Sequence, residues 1–358
     1  MRPSALIALA ALLVAAASLV VRAGPAESLR GAETRLDRAT GIRVPAGFRV
    51  ETYARGLQRP TALAFSPRGR LYATQEGGTV VVIRRGARAP SIVARGFRTP
   101  LGLTWHRRTL IVSAQGALWR LAGGRRRAIV SGLPYGVHQQ DNVVVGRDGR
   151  LYFGSGSTCN ACRERSRLSA AVLSVRADGR DLRVVSRGLR NPFGLAIRPE
   201  NGRLYASVNS RDDLGDREPA EMVVEIGQGR HFGWPRCWPS ARLRRLQGRC
   251  AGVTAPVAYL EPHSSADGMA FYDGRAFPDK YRGNLFVAAW GTYYGDDHGR
   301  TLVRVVLDSR GQGDRARVST FASGFDHPLA VVVDPLGALL VADYGRGIVY
   351  RIQAAGRA

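Results

Sequence analysis

Short apolar runs alternate with glycine- and proline-bearing turns along most of the chain. One run such as "ALAF", "GLTW", "GLAI", "GMAF" or "AVVV" is followed by a turn such as "PRG", "RDG", "PENG" or "PLG". A second run comes next: "RLYAT", "TLIVS", "RLYFG", "RLYAS", "NLFVA" or "ALLVA". Most copies add a third, such as "TVVVIRR", "GALWRL", "AAVLSV", "MVVEI", "LVRVVL" or "GIVYRI". The runs are rich in Val, Leu, Ile and Tyr and too short for helices, so they predict strands. No long helical periodicity appears. Six copies of the unit begin at Gly56, Gly96, Gly132, Gly188, His263 and Gly324. Six small antiparallel sheets cannot each bury two faces alone, so they are expected to stack around an axis as an all-β, six-bladed β-propeller. "RVETYARGL" (49–57) is the candidate strand that closes the ring against the last blade.

Composition agrees with this reading and adds a location. The chain has 358 residues, 45% of them hydrophobic and 43 of them glycine, enough for a full core and many tight turns. Residues 1–23 open with Arg2 and continue as an alanine-rich apolar run, which reads as a secretory signal peptide. The rival reading is an uncleaved N-terminal anchor. Either places the remainder outside the cytosol. Residues 24–44 read as a linker, 45–352 as the propeller and 353–358 as a tail.

Four cysteines in an exported chain suggest disulfides. Local pairing, Cys159 with Cys162 and Cys237 with Cys250, is the simplest of the three connectivities. A redox-active or metal-binding C-x-x-C is the alternative. The net charge of +25 comes almost entirely from arginine. Export and the lack of interleaved aromatics argue against nucleic acid. A basic surface facing an anionic cell envelope is the expectation.

In a propeller the loops entering the innermost strands converge at one mouth. Those loops carry Arg59, Arg98, His138, Arg190 with Asn191, His263 with Asp267, and Asp326 with His327. Polar groups distant in sequence are thereby expected to line one pocket.

"VHQQDNVVVGRDGRLYFGSGSTCNAC", "GLRNPFGLA", "VNSRDDLGD", "HFGWP" and "HSSADGMAFYDG" through "FPDKYRGNLFVAAWG" resemble the glucose/sorbosone dehydrogenase family, over about residues 45–352. The resemblance implies an exported six-bladed propeller holding pyrroloquinoline quinone (PQQ) and Ca2+ and oxidising aldoses or related sugars. It implies His138 as the general base, since a neutral imidazole suits removal of a hydroxyl proton. It implies Arg190 and Asn191 as quinone contacts; Arg59 and Arg98, from the equivalent loops, are further candidates, with plain surface as the alternative for each. Calcium would take oxygen ligands from the "NSRDDLGD" loop: the carbonyls of Ser210 and Arg211 and a carboxylate at Asp212, Asp213 or Asp216.

Two positions depart from the family pattern. Trp290 stands near the place of an expected lysine, and Asp326 with His327 stand where an arginine-rich entrance is expected. His263, Trp290 and His327 are the candidate substitutes, Trp290 by stacking on a flat ring system. Cys162 is followed by Arg163, so there is no haem-attachment motif and electrons must leave to a separate acceptor. A non-catalytic propeller binding a glycan or protein partner is the second reading. A calcium-dependent lactonase ranks third, since carboxylates are visible mainly in one loop.

Overall fold

The computed structural model describes residues 33–292, 298–307 and 316–356. The expected signal segment, 1–23, lies outside them. Every described strand belongs to an antiparallel pair, and among the described residues six sheets repeat along the chain, five of four strands and one of six.

The first blade is Pro60–Phe65, Leu71–Gln75, Thr79–Ile83 and Ser91–Arg95. The second is Gly102–His106, Thr109–Ala114, Ala117–Ala122 and Arg125–Ser131. The third is Gln140–Val145, Leu151–Ser155, Ala171–Val175 and Arg183–Arg187. In the fourth, Leu195–Ile197, Leu204–Val208 and Ala220–Ile226 precede Ala258–Pro262. The detour before that last strand holds a hairpin, Cys237–Ser240 with Arg245–Gly248. The fifth is Ala266–Phe271, Leu285–Ala289, Thr301–Val306 and Arg317–Ser323. The sixth is Pro328–Val333, Leu339–Asp343 and Ile348–Ala354, completed by Phe48–Ala54 from the other end of the chain. The innermost strands touch one another in cyclic order, and the last touches the first, so the ring is closed. The fold is a six-bladed β-propeller.

Its core is divided rather than single. One cluster of buried apolar side chains fills each of the six blade interfaces. This is why the second and third strands of each blade are nearly continuous hydrophobic runs: both faces are covered by neighbouring blades. Apart from the ring-closing strand, which the sequence placed at 49–57 and which is Phe48–Ala54, the fourth strands were not legible in the apolar pattern. Arg125–Ser131, for example, is exposed or half-buried throughout, because an outermost strand has solvent on its free edge. The stretch 24–44, expected as a linker, carries two short strands in its described part. Thr34–Leu36 pairs with Arg43–Pro45, and Arg43 sits opposite Ser323 on the outer edge of the fifth blade.

Four innermost strands share one irregularity. Their pairing with the second strand slips just after the first residue, skipping Thr61, Asp141 with Asn142, Asp267 with Gly268, and Leu329. A bulge of this kind re-aims a side chain. Here Thr61, Asp141, Asp267 and Leu329 all turn into the cavity on the axis. Glycines let the neighbouring strands accept the bulges. A Cβ on Gly102 would stand 2.5 Å from the carbonyl oxygen of Asp141, and one on Gly194 2.1 Å from that of Asp267.

Candidate active site

The mouth opens on a cavity of about 890 Å³ lined from all six blades. His138 enters it from the loop before the innermost strand of the third blade. That loop is clamped to the chain after the second strand. His138 N donates to Ser157 O at 3.0 Å, and Gly156 N donates to Gln139 O at 2.7 Å. Position 156 must be glycine, since a Cβ there would lie 2.3 Å from His138 Cβ and 2.7 Å from Asn191 Oδ1. The imidazole Nδ1 is 3.0 Å from Ser157 Oγ. That hydroxyl gives its own hydrogen to Cys159 O at 2.6 Å, so Nδ1 must be the donor and Nε2 keeps its lone pair. Among the described residues Nε2 takes no hydrogen bond. Burial, and then the Arg190 charge, lower the pKa of His138 to about 3, so the ring is neutral at working pH.

Arg190 is 5% exposed. Its guanidinium donates to Asn160 Oδ1 at 3.1 Å and pairs with Asp212. Burial lowers its pKa, opposed first by Asp212. Asn160 lies inside the loop closed by the Cys159–Cys162 disulfide, and Trp234 Nε1 donates to its carbonyl at 3.0 Å. The second disulfide, Cys237–Cys250, ties the base of the hairpin. Both local pairings expected from the sequence are present.

Asn191 is buried beside Arg190. Its backbone oxygen accepts from Asn209 N at 3.0 Å, while its Oδ1 has no partner among the described residues. Asn209 Nδ2 donates to Asp267 Oδ1 at 2.9 Å, leaving Asn209 Oδ1 without a partner there too. Asp141 Oδ2 is a third buried oxygen with none. Burial raises the carboxyl of Asp267 to about 7 and that of Glu221 to about 8. Burial, with Asp267 next, pushes Asp141 well above the carboxylate range.

His138, Arg190, Asn191, His263 and Trp290 are thus brought together at the cavity. His263 turns Nε2 onto the carbonyls of Gly215 and Glu218, at 3.0 and 3.1 Å. His327 stands behind the wall: its ring lies 4.0 Å from that of Trp290, and its Nδ1 is 3.0 Å from Asp326 Oδ1. Arg59 is outside the lining as well. Its side chain is 67% exposed and pairs with Glu76 at 2.9 Å. Arg98 lies over the Tyr135 ring. Ser210, Arg211 and Asp213 do not line the cavity. Asp213 is gripped by Arg211 through bonds of 2.6 and 2.5 Å, and Ser210 N donates to Glu221 at 2.5 Å. From the same loop it is Asp212 and Asp216 that face inward.

Sequence reasoning passed over Asp141, Asn209, Glu221 and Asn160. The signal for Asp141 was an acidic residue just inside an apolar innermost strand, "QDNVVV", a place where a strand buried on both faces has no use for one. The carboxylates are not confined to one loop. Six carboxyl groups from four blades line the cavity, against Arg190 as the one cationic Lys or Arg among the described residues.

Matches to known proteins agree with this geometry. The family described as Glucose / Sorbosone dehydrogenase matches residues 127–350. The chain belongs to the glucose/sorbosone dehydrogenase family. It is 29% identical to the aldose sugar dehydrogenase YliI of Escherichia coli K12 over 122 residues, 32% of this chain and 31% of that one. A solved structure described as an oxidoreductase (glucose dehydrogenase) from Thermus thermophilus superposes with a TM-score of 0.65 at 27% identity, covering 86% of this chain and 100% of that one. The holo form of the PQQ domain of pyranose dehydrogenase from Coprinopsis cinerea superposes at 0.74 with 20% identity, covering 90% and 99%. Of the positions expected to depart from the family pattern, Trp290 lines the cavity, while Asp326 and His327 stand outside its lining.

Proposed function

We propose that the protein is an exported sugar dehydrogenase that uses a quinone of the PQQ type and removes hydrogen from the C1 hydroxyl of an aldose or related sugar. The observation that carries this reading is the state of His138. Its Nδ1–H is fixed on Ser157, and its Nε2 is free among the described residues. The residues present fit a flat polyanion. Arg190 offers a desolvated cation, and Phe193, Trp290 and Leu329 an apolar wall. The quinone, when bound, supplies a two-electron oxidant for the hydride from C1, and calcium supplies Lewis-acid polarisation of its oxygens. The inward carboxylates Asp212 and Asp216 would hold the calcium.

Around that chemistry the chain's residues bind, orient and move a proton. His138 Nε2 accepts the hydroxyl proton as C1 loses its hydrogen. Ser157 keeps the ring in the one tautomer able to do so. Arg190 and the Asn191 amide N–H orient the oxidant from one edge, and Trp290 covers a face of it. The two disulfides support an extracytoplasmic location. Electrons leave to a separate acceptor, and the sugar is the small-molecule partner.

The test is turnover of an aldose with an artificial dye by protein supplied with PQQ and calcium. His138→Gln is expected to abolish turnover while quinone uptake persists. Unchanged turnover in that variant would remove the proposed base. The excess of carboxyl groups favours a second reading, a non-catalytic propeller that binds an envelope glycan. Absence of quinone uptake in an absorbance titration would select it.

A further inference from the structure

We infer that the floor of the cavity is a binding site for a hard divalent cation of the calcium type, held on the propeller axis by Asp141, Asn191, Asn209 and Asp267. Its carboxylates are other than Asp212 and Asp216, although Asn209 opens the same "NSRDDLGD" loop, and the site does not depend on the reaction proposed above. Three buried oxygens there lack a hydrogen-bond partner among the described residues: Asp141 Oδ2, Asn191 Oδ1 and Asn209 Oδ1. Their residues are 1%, 6% and 8% exposed. A buried polar atom left unsatisfied is destabilising, so three in the lining of one cavity call for a common partner. The fourth member, Asp267, is 3% exposed and is tied to Asn209 at 2.9 Å.

The chain's topology gathers this set. Asp141 and Asp267 are the bulged residues of two innermost strands, re-aimed from the sheet toward the axis. Asn191 and Asn209 face each other across an isolated bridge in the blade between them. Three consecutive blades therefore contribute oxygens to one cavity, and every one is a carboxylate or an amide carbonyl. That chemistry suits Ca2+, which takes 6–8 hard oxygen ligands and tolerates mixed ones. Among the described residues no lysine or arginine stands in for the cation, since the one in the cavity, Arg190, is committed to Asn160 and Asp212. A divalent ion there also adds positive charge to a lining rich in carboxyl groups.

The experiment is equilibrium dialysis of Ca2+ against the full chain, stripped with EDTA and kept free of quinone. The comparison is between wild type, Asp141→Asn, Asp267→Asn and the loop variant Asp212→Asn. Thermal melts with and without calcium accompany each. The expected result is a floor-bound calcium in wild type and in Asp212→Asn, weakened at least about tenfold in both floor variants. Melting of wild type should rise with calcium, and that rise should vanish in Asp141→Asn. Asparagine is isosteric and removes a buried acid, so the floor variants are expected to melt in EDTA no lower than wild type. The inference is overturned if wild type binds no calcium, if the floor variants bind it as wild type does, or if Asp212→Asn alone loses it. If a floor variant does not fold, the calcium dependence of the wild-type melt decides, and no shift overturns it.

Discussion

Ser157 Oγ lies 3.0 Å from His138 Nδ1 and donates its hydrogen to Cys159 O, 2.6 Å away. The serine is a one-way device: it can only accept from the imidazole. Removing the base itself, as in His138→Gln, should cost about 10²–10⁴-fold in kcat. Ser157→Ala should lose part of that factor, and Ser157→Thr, which keeps the hydroxyl, should restore it. Because the imidazole stays neutral down to about pH 3 in the free protein, kcat/KM should show no limb from this group between about pH 5 and 8. Loss of activity on protonation near the ordinary histidine value, about 6.5, would contradict the burial that sets its basicity. A kcat/KM profile for the three proteins checks all of this.

The Cys159–Cys162 loop is one bond further from the chemistry. Asn160 inside it accepts from Arg190 Nε and from Trp234 Nε1, and its Oδ1 also accepts from Asp212 N at 3.0 Å. Asn160 is therefore a positioning residue for Arg190. Asn160→Ala should weaken quinone binding about tenfold, the scale of a lost charge-assisted hydrogen bond. Replacing both cysteines by serine should act in the same direction. Quinone titration followed by Trp234 fluorescence reads the effect. A variant that melts earlier but binds quinone as before would show the loop to be structural only.

The blade grammar was legible because each inner strand, turn and second strand repeats the same short apolar pattern. His138, Arg190 and Asn191 were legible because entrance loops converge by symmetry. Of the floor, Asp267 was legible from its entrance loop, but Asp141 was not: it reaches the cavity through a bulge, and a bulge is a slip of register that the alternation of apolar and polar residues does not record. Asp213 illustrates the opposite failure. It has the right chemistry for a calcium loop, but Arg211, two residues before it, takes both of its oxygens.

Glu221 sets a pH dependence of stability. Burial raises its carboxyl from 4.5 to about 8 in the folded chain. On unfolding it returns to an ordinary value and ionises, so between about pH 4.5 and 8 the unfolded state binds fewer protons. Its contribution to stability is complete below the unfolded pKa and is lost as pH rises through the folded one. In EDTA the melting temperature should fall from about pH 5 to about pH 8, and Glu221→Gln should flatten part of that slope. Thermal melts across this range decide it. An equal slope in the variant would mean that other groups carry the effect.

Ring closure rests on Phe48. The strand Phe48–Ala54 comes from the beginning of the propeller sequence and pairs with Ile348–Ala354 near its end, so the seam is held by strand pairing and packing. Phe48 is 4% exposed and meets Phe277, Tyr281 and Phe321 edge-on, with ring centroids at 4.7, 5.3 and 5.2 Å. Phe48→Ala removes that anchor at the seam and should cost about 3–5 kcal/mol. Ile92→Ala, on the outermost strand of the first blade and 45% exposed, should change stability by no more than about 0.5 kcal/mol. Denaturant unfolding of both variants measures the difference. A full effect at Phe48 with an unchanged m-value means the blades unfold together. A reduced m-value would mean that the seam opens before the rest.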